Sequence, residues 1–546
     1  MTSRFITRLT SALHFLLTSF ILSSKFVLAA ADSTHSDFAA AKISAIFPGD
    51  VGYENASKSC KLFVLYYLKH SEDVLTATCT HVVNFRFTLF PAAIAFPSNL
   101  QEVSETVKIG AIHGLNVVPR GGGHSYIANG LGGKNGTLVV DMSKFKDIQL
   151  MDPTSLDSEG TDGGDIARIG SGVLLGDVVQ ILNQNGRAVP HGTCPYVGIA
   201  GHAALGGFGF TSRMWGLALD PLVAINAVLA DGTIVRATEF SHPDLFWELL
   251  RLSLLLPLEF RTFPVPPYAI VFTYVWEFSS LQAASAFLEF QSFVLSKSNG
   301  PQAPFGAEIL LKKGTNRGSL SFGITGAWYG PPTNIHGVDS INSTLSPFLS
   351  KMLEPSQQTR SGNGSYVDSA RVLGGHPTLD TADANQSHNT FYAKSIMVPE
   401  DEPLEGRACE ELMKKLAGEG FESDTDWFIE AELWGGLQSK INAISVHSAA
   451  FARRNTLFTI QFYAASLNAM PPYPEDGFKF VDGLVDALIE NMPINWNYGA
   501  YTDYIDNRLE NWRHLYYGPH YPRLQDIKRK VDPKNVFGGF PTSIEV

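Results

Sequence analysis

Two glycine-rich turns in this chain each carry one nucleophile. Pro119-Arg120-Gly121-Gly122-Gly123-His124-Ser125-Tyr126 sets an imidazole directly after three glycines, and Val189-Pro-His191-Gly192-Thr-Cys194-Pro-Tyr-Val197-Gly198-Ile-Ala-Gly201-His202 carries a thiol. Successive glycine N–H groups with no Cβ in the way form a nest for an anion such as a pyrophosphate. The pair of turns therefore suggests a bound, phosphate-bearing cofactor. Taken singly, each has a plainer reading: a glycine-rich turn after a strand is most often a loop, His124 a satisfied loop histidine, and Cys194 a buried structural thiol. A metal site from His191, Cys194 and His202 is not expected, because H-x2-C-x7-H matches no common zinc spacing. Gly170-Ser-Gly172-Val-Leu-Leu175 approaches a G-x-G-x-x-G fingerprint, but Leu175 stands at the third glycine, so a dinucleotide-binding Rossmann turn is rejected.

The elements that would position these turns follow from periodicity. Pro91-Ala-Ala-Ile-Ala-Phe-Pro97 reads as a short strand, and 98–113 opens on cap residues and continues with apolar positions at helical spacing. Strands follow at 115–119, 137–141, 167–170 and 220–230, with a helix at 176–183 and a hairpin signal at Asp231-Gly232. Strands alternating with helices imply an α/β-type region. From about residue 266 the texture changes to longer aromatic strands, such as 457–463, and amphipathic helices, such as 281–295, and this reads as a second domain. Residues 517–540 form a compact polar tail. In isolation, Tyr501 and Tyr504 read as core aromatics.

Composition narrows the class. The 546 residues are 45% hydrophobic and 17% charged, enough for two or three packed domains. A net charge of −12 leaves no general electrostatic footprint for nucleic acid or an anionic membrane surface. Four cysteines are too few for a disulfide scaffold. Arg4 and Arg8 precede an apolar run from Leu9 to Leu28, and Ala29-Ala30-Ala31 then supplies a cleavage site. This is a secretory signal peptide, since Lys25 leaves the charge-free stretch below the roughly 20 residues a membrane span needs. Five sequons, at Asn55, Asn135, Asn342, Asn363 and Asn385, are then candidates for glycosylation. The expectation is a secreted protein with no membrane attachment after cleavage.

The blocks "VVPRGGGHSY", "NGTLVVDMSKF", "HGTCPYVGIAGH", "SRMWGLALDPLVAINAVLADGTIV", "DLFW", "YTDYID" and "YYGPHYPRLQDIKRKVDPKNVFGGFP" occur in that order. From about 84 to 546 the chain resembles the FAD-linked oxidases of the vanillyl-alcohol-oxidase, or PCMH-type, superfamily. Within them it looks like the berberine-bridge-enzyme-like group, especially fungal gluco-oligosaccharide oxidases. The resemblance implies an α+β fold: a PCMH-type FAD-binding domain of two α/β subdomains, and a substrate domain with an antiparallel sheet backed by helices. The boundaries implied are a signal peptide at 1–31, an N-terminal segment at 32–83, the FAD domain at 84–265, the substrate domain at 266–499 and a C-terminal berberine-bridge-like segment at 500–546.

The same resemblance implies bicovalent FAD, with His124 bonded to the flavin 8α-methyl and Cys194 to C6. Arg120, Gly121, Gly122, Gly123, Ser125, Val197, Gly198, Gly201 and His202 stand in the matching cofactor-binding segments. Val197, three residues after the cysteine, is of the type that oxidases of the group carry where oxygen access is set. Tyr504 takes the position of the catalytic base, Tyr501 lines the flavin pocket, and Glu432 is the carboxylate before a Gly-Gly pair that would receive the base's charge. Gln461 matches a pocket amide, and Tyr126 sits beside the flavin histidine. Asp503 stands where the group usually has Asn. The implied reaction is oxidation of a sugar C1 hydroxyl to a lactone with O2 reduced to H2O2, by a monomer acting on an oligosaccharide or other small molecule.

Two stretches depart from the pattern. Residues 60–81 read as inserted, and 248–260 replace the group's glycine-rich continuation with a glycine-free leucine run that would not make the same backbone contacts with FAD. Either both are splice or frame errors in the translated sequence, or they are real divergence with weaker FAD retention. If real, Cys60 and Cys79 are positioned in sequence to pair, leaving Cys409 free. Two other functions remain open at this stage: a secondary-metabolism flavin oxidase acting on an alcohol or alkaloid-like substrate, and a cofactor-poor, non-catalytic relative.

Overall fold

A computed structural model describes residues 33–57, 83–151, 165–248, 254–333, 339–382, 389–539 and 541–546. The segment 1–31 expected to be a signal peptide, the stretch 60–81 with Cys60 and Cys79, and residues 249–253 lie outside them. Three sheets organise the chain.

The first sheet has β1 (Ala45–Ile46), β2 (Ala93–Ala95), β3 (Val117–Arg120) and β4 (Leu138–Asp141), in the order β1-β2-β4-β3. β2 and β3 both run parallel to β4, and helix α1 (Leu100–Ile112) makes the crossover between β2 and β3. The cap signal is realised: the Asn99 side chain accepts from the Glu102 N–H, and α1 buries Val103 and Val107 against this sheet. This half matches the α/β expectation.

The second sheet does not alternate in that way. Its strands β5 (Ile148–Met151), β6 (Ile166–Ile169), β7 (Leu222–Val228), β8 (Ile234–Ala237) and β9 (Leu254–Arg261) run in the order β5-β6-β9-β7-β8, antiparallel throughout. Helices α2 (Leu175–Gln184) and α3 (Ile199–Ala204) follow β6 in the chain and pack with it in one core. The hairpin at Asp231-Gly232 forms as expected, with Gly232 at φ +84°. β9 is drawn from the leucine-rich run. It is hydrogen-bonded on both sides, with Leu258 and Phe260 buried and Glu259 paired to Arg236 on the opposite face. Alternation of apolar and polar side chains over 258–261 is what seats the segment as a central strand.

The third sheet is the scaffold of the region from about residue 266 onward. It contains β10 (Ala269–Ser279), β11 (Phe305–Lys313), β12 (Ser319–Trp328), β13 (Gln357–Gly364), β14 (Phe391–Pro399), β15 (Thr425–Leu433) and β16 (Thr456–Ser466). All seven are antiparallel, in the order β13-β10-β12-β11-β15-β16-β14. One face, with Ile309, Ile429, Leu433, Ile460 and Phe462, packs against α4 (Ser280–Val294), α5 (Gly406–Glu422) and α6 (Glu475–Ile489). Period-2 alternation sends Glu308, Glu430, Glu432, Thr459 and Gln461 to the other face. α4 begins on a capping box between Ser279 and Gln282.

Arg213 joins the two domains. It is fully buried and donates to the carbonyl oxygens of Gln302, Phe305, Pro301, Gly435 and Leu437 at 2.6–3.0 Å. Asp220 and Arg454 form a second buried tie, bidentate at 2.6 and 2.9 Å. The C-terminal segment is stitched to both domains, through the Thr502 hydroxyl to Leu205 O and through the Tyr501 N–H to Ser395 Oγ.

Candidate active site

The two glycine-rich turns meet face to face. A Cβ on Gly122 would lie 2.5 Å from the Gly198 nitrogen, and one on Gly198 would lie 2.4 Å from the Gly122 nitrogen, so only glycine permits the approach. Gly123 adds a positive φ of +68°. The approach brings His124 and Cys194 together, with Sγ 3.8 Å from Nε2, and both are half-buried. Burial raises the Cys194 thiol's pKa, against the Tyr196 and Val197 N–H groups that favour the thiolate.

Other residues of these turns are placed as follows. Val197 packs partly buried against the second-sheet core, and its carbonyl accepts from the Leu175 N–H. The Ser125 hydroxyl accepts from the Asn129 N–H, a Cβ on Gly121 would touch the Ser171 carbonyl, and Gly201 faces open space. Arg120 is turned inward: Nε pairs with Asp141 at 2.7 Å and Nη1 donates to Ala56 O, leaving buried Nη2 without a hydrogen bond among the described residues. His202 is buried, accepting from the Gly192 N–H at Nε2.

Opposite these turns, the polar face of the third sheet and the C-terminal segment bring together all the aromatic and carboxylate residues singled out in the sequence. The Tyr504 hydroxyl donates to Glu432 Oε1 at 2.6 Å, and the Trp434 indole N–H donates to Oε2 at 3.1 Å. The rings of Tyr126 and Tyr504 stack at 5.7 Å and 12°. Gln461 Nε2 donates to the Tyr126 hydroxyl at 2.7 Å. Tyr501, edge-on to Tyr504, accepts at its hydroxyl from the Gly207 and Phe208 N–H groups and donates to Asp503 at 2.9 Å.

Three carboxylates share this face. Glu308 on β11 is paired in register with Glu432 on β15, and Glu430 lies two residues from Glu432 on the same side. Burial, reinforced by Glu430, pushes Glu432 up to about 8. Burial pushes Glu430 up to about 7, and Glu308 is held well above the usual carboxylate range by burial and by both neighbours. Tyr504 is raised well above an ordinary phenol by burial and then by Glu432. The arrangement can hold one proton between a phenol and a carboxylate and pass it along a single short bond.

Sequence reasoning passed over Glu308, Glu430, Thr459 and the His202–Asp503 contact. Glu430 and Glu432 carry a visible signal, E-x-E in a strand otherwise apolar on its alternate positions. Glu308 has none, because only β11–β15 pairing brings it to Glu432.

Comparison with known proteins identifies the family. Residues 91–238 match the family described as FAD binding domain, and 500–545 match that described as berberine and berberine like. A chitooligosaccharide oxidase of Gibberella zeae is 30% identical over 472 residues, covering 85% of this chain and 89% of its own. A glucooligosaccharide oxidase of Sarocladium strictum is 29% identical, covering 83% and 87%. A solved glucooligosaccharide oxidase of Acremonium strictum, described as holding a 6-S-cysteinyl, 8α-N1-histidyl FAD, superposes with a TM-score of 0.78 at 26% identity, covering 94% of this chain and 99% of that one. Fold and family define an FAD-linked oxidoreductase. The chain belongs to the berberine-bridge-enzyme-like group of FAD-linked oxidases, among relatives that include fungal oligosaccharide oxidases.

Proposed function

We propose that this protein is a secreted carbohydrate oxidase that converts the reducing-end C1 hydroxyl of an oligosaccharide to the lactone, with FAD held through both His124 and Cys194. The observation that carries the reading is the Tyr504–Glu432 hydrogen bond at 2.6 Å, on a polar sheet face opposite the two convergent nucleophiles.

The site fits the cofactor. A glycine cradle that no Cβ would tolerate presents an imidazole and a thiol from opposite turns, which suits attachment at one edge of a ring system. FAD supplies the two-electron acceptor for the C1 hydride and the route to O2. The residues of this chain supply the proton chemistry and the positioning. Tyr504 receives the proton of the C1 hydroxyl as its own passes to Glu432 Oε1, so no free phenolate has to persist in a buried site. The Trp434 N–H on Oε2 fixes the orientation of the carboxylate. Gln461 and Tyr126, bonded to one another, offer polar groups beside the stacked Tyr504 ring for sugar hydroxyls. Glu430 and Glu308 extend the polar face along the sheet and suit a polyhydroxylated substrate.

The test is H2O2 release by the purified mature protein on a panel of cello-, xylo- and chito-oligosaccharides against aromatic and alkaloid alcohols. Turnover of at least one oligosaccharide with formation of its aldonic product is expected. Turnover confined to the alcohols would overturn the sugar assignment in favour of a secondary-metabolism oxidase.

A further inference from the structure

The backbone of Gly192, two residues before Cys194, is held at both its N–H and its carbonyl by histidines. Its carbonyl accepts from His191 Nδ1 at 2.7 Å, and its N–H donates to His202 Nε2 at 2.9 Å. A ring nitrogen that accepts carries no proton, so His202 is the neutral tautomer with its hydrogen on Nδ1. That Nδ1 faces Asp503 Oδ2 at 3.4 Å. Asp503 in turn accepts from the Tyr501 hydroxyl, which the Gly207 and Phe208 N–H groups fix from behind.

The His202 ring has almost no freedom between these partners. A Cβ on Gly192 would lie 3.0 Å from its Cε1, and one on Gly207 would lie 3.0 Å from its Cδ2, so two glycine backbones flank the ring. One chain of contacts thus runs from the C-terminal segment, through a side chain in the FAD domain, to the turn that carries the thiol.

We infer that Asp503, acting through His202 on the Gly192 peptide, is a positioning residue that sets Cys194 for bond formation with the flavin. The inference rests on the two-bond attachment proposed above. Each bond joins the protein to the flavin with loss of one hydrogen from the side chain and one from the flavin carbon. The two hydrogens and their electrons leave with O2 as H2O2. Formation of a covalent bond is sensitive to placement, and a displacement of about 1 Å at the attacking atom can cost about 100-fold in rate. His124 is carried by the other glycine-rich turn, so the two bonds should respond differently.

The experiment is peptide mapping of the purified holoprotein by mass spectrometry, reading the ratio of flavin on the Cys194 peptide to flavin on the His124 peptide. Asp503→Leu and His202→Phe are made in parallel. Each should lower the ratio at least tenfold while the His124 peptide stays flavinylated, which also shows that the variant is folded. Asp503→Asn keeps an acceptor oxygen for His202 and Tyr501 and should stay within about twofold of wild type. An unchanged ratio in both disrupting variants overturns the inference. So does loss of both bonds together in all three variants, which would make these contacts a general support of the fold. A wild-type protein with no flavin on Cys194 overturns the two-bond reading itself, a result distinct from the other two.

Discussion

The Tyr504 hydroxyl and Glu432 Oε1 are 2.6 Å apart, and the two groups come from different parts of the chain, a C-terminal turn and the end of an interior strand of the seven-stranded sheet. Burial disfavours charge on either group alone, so the pair's single negative charge, when present, is best held across their short hydrogen bond. Tyr504→Phe removes the acceptor of the substrate proton and should lower sugar oxidation about 100- to 10,000-fold, with flavin content unchanged. Steady-state H2O2 release reads the effect. Near-wild-type turnover in this variant would show that Tyr504 is not the base.

The pH profile follows from the same pair. Glu432 accepts the Tyr504 proton only when ionised, and it is pushed up to about 8. Below that pH it is already protonated and cannot accept. The rate of the reductive step should therefore climb with pH toward a plateau above about 8. Glu430→Gln removes a neighbouring negative charge, lowers the proton affinity of Glu432 and should move the rising limb to lower pH. Stopped-flow reduction across pH 5–9 measures both.

Folding stability should show the opposite trend. Glu308, Glu430 and Glu432 all have folded-state pKa values raised above the unfolded carboxylate value. Between about 4.5 and 8 the folded chain binds protons that the unfolded chain releases, so stability falls as pH rises through this window. Differential scanning fluorimetry should show a declining melting temperature from pH 5 to 8. Glu308→Gln and Glu430→Gln should each flatten the decline and stabilise the protein at pH 8 more than at pH 5.

Arg213 carries the domain junction next to the site. Its contacts with Gly435 and Leu437 hold the loop that directly follows Glu432 and Trp434. Arg213→Met takes the donor away from five carbonyls, three of them in buried contacts, and should cost about 3 kcal/mol. Arg213→Lys, with a point charge in place of a planar fork, should recover only part of the loss. Denaturant melts of the three proteins compare them directly.

Much of this was legible in the sequence alone. His124 and Cys194 stand in local motifs whose glycines dictate tight turns, and Leu100–Ile112 and Ser280–Val294 announce themselves through caps and helical spacing. Two features were not. The second sheet reads as α/β because short apolar strands look alike whether they pair parallel or antiparallel, and only register separates them. The carboxylate cluster depends on β11 and β15 being neighbours, a long-range pairing that no local pattern encodes. The leucine run at 248–260 shows a third limit. Beside the glycines it replaces it looks disruptive, yet residues 254–261 form a central strand, with Leu258 and Phe260 turned to the core and the buried Glu259 paired with Arg236 on the other face.

The most direct test of the account is the absorbance of the purified protein after acid precipitation. Two bonds to the protein predict that the yellow flavin chromophore stays entirely in the pellet, and that it moves to the supernatant only when His124 and Cys194 are both replaced. A wild-type protein that releases its flavin into the supernatant, or that is colourless before precipitation, would contradict the account.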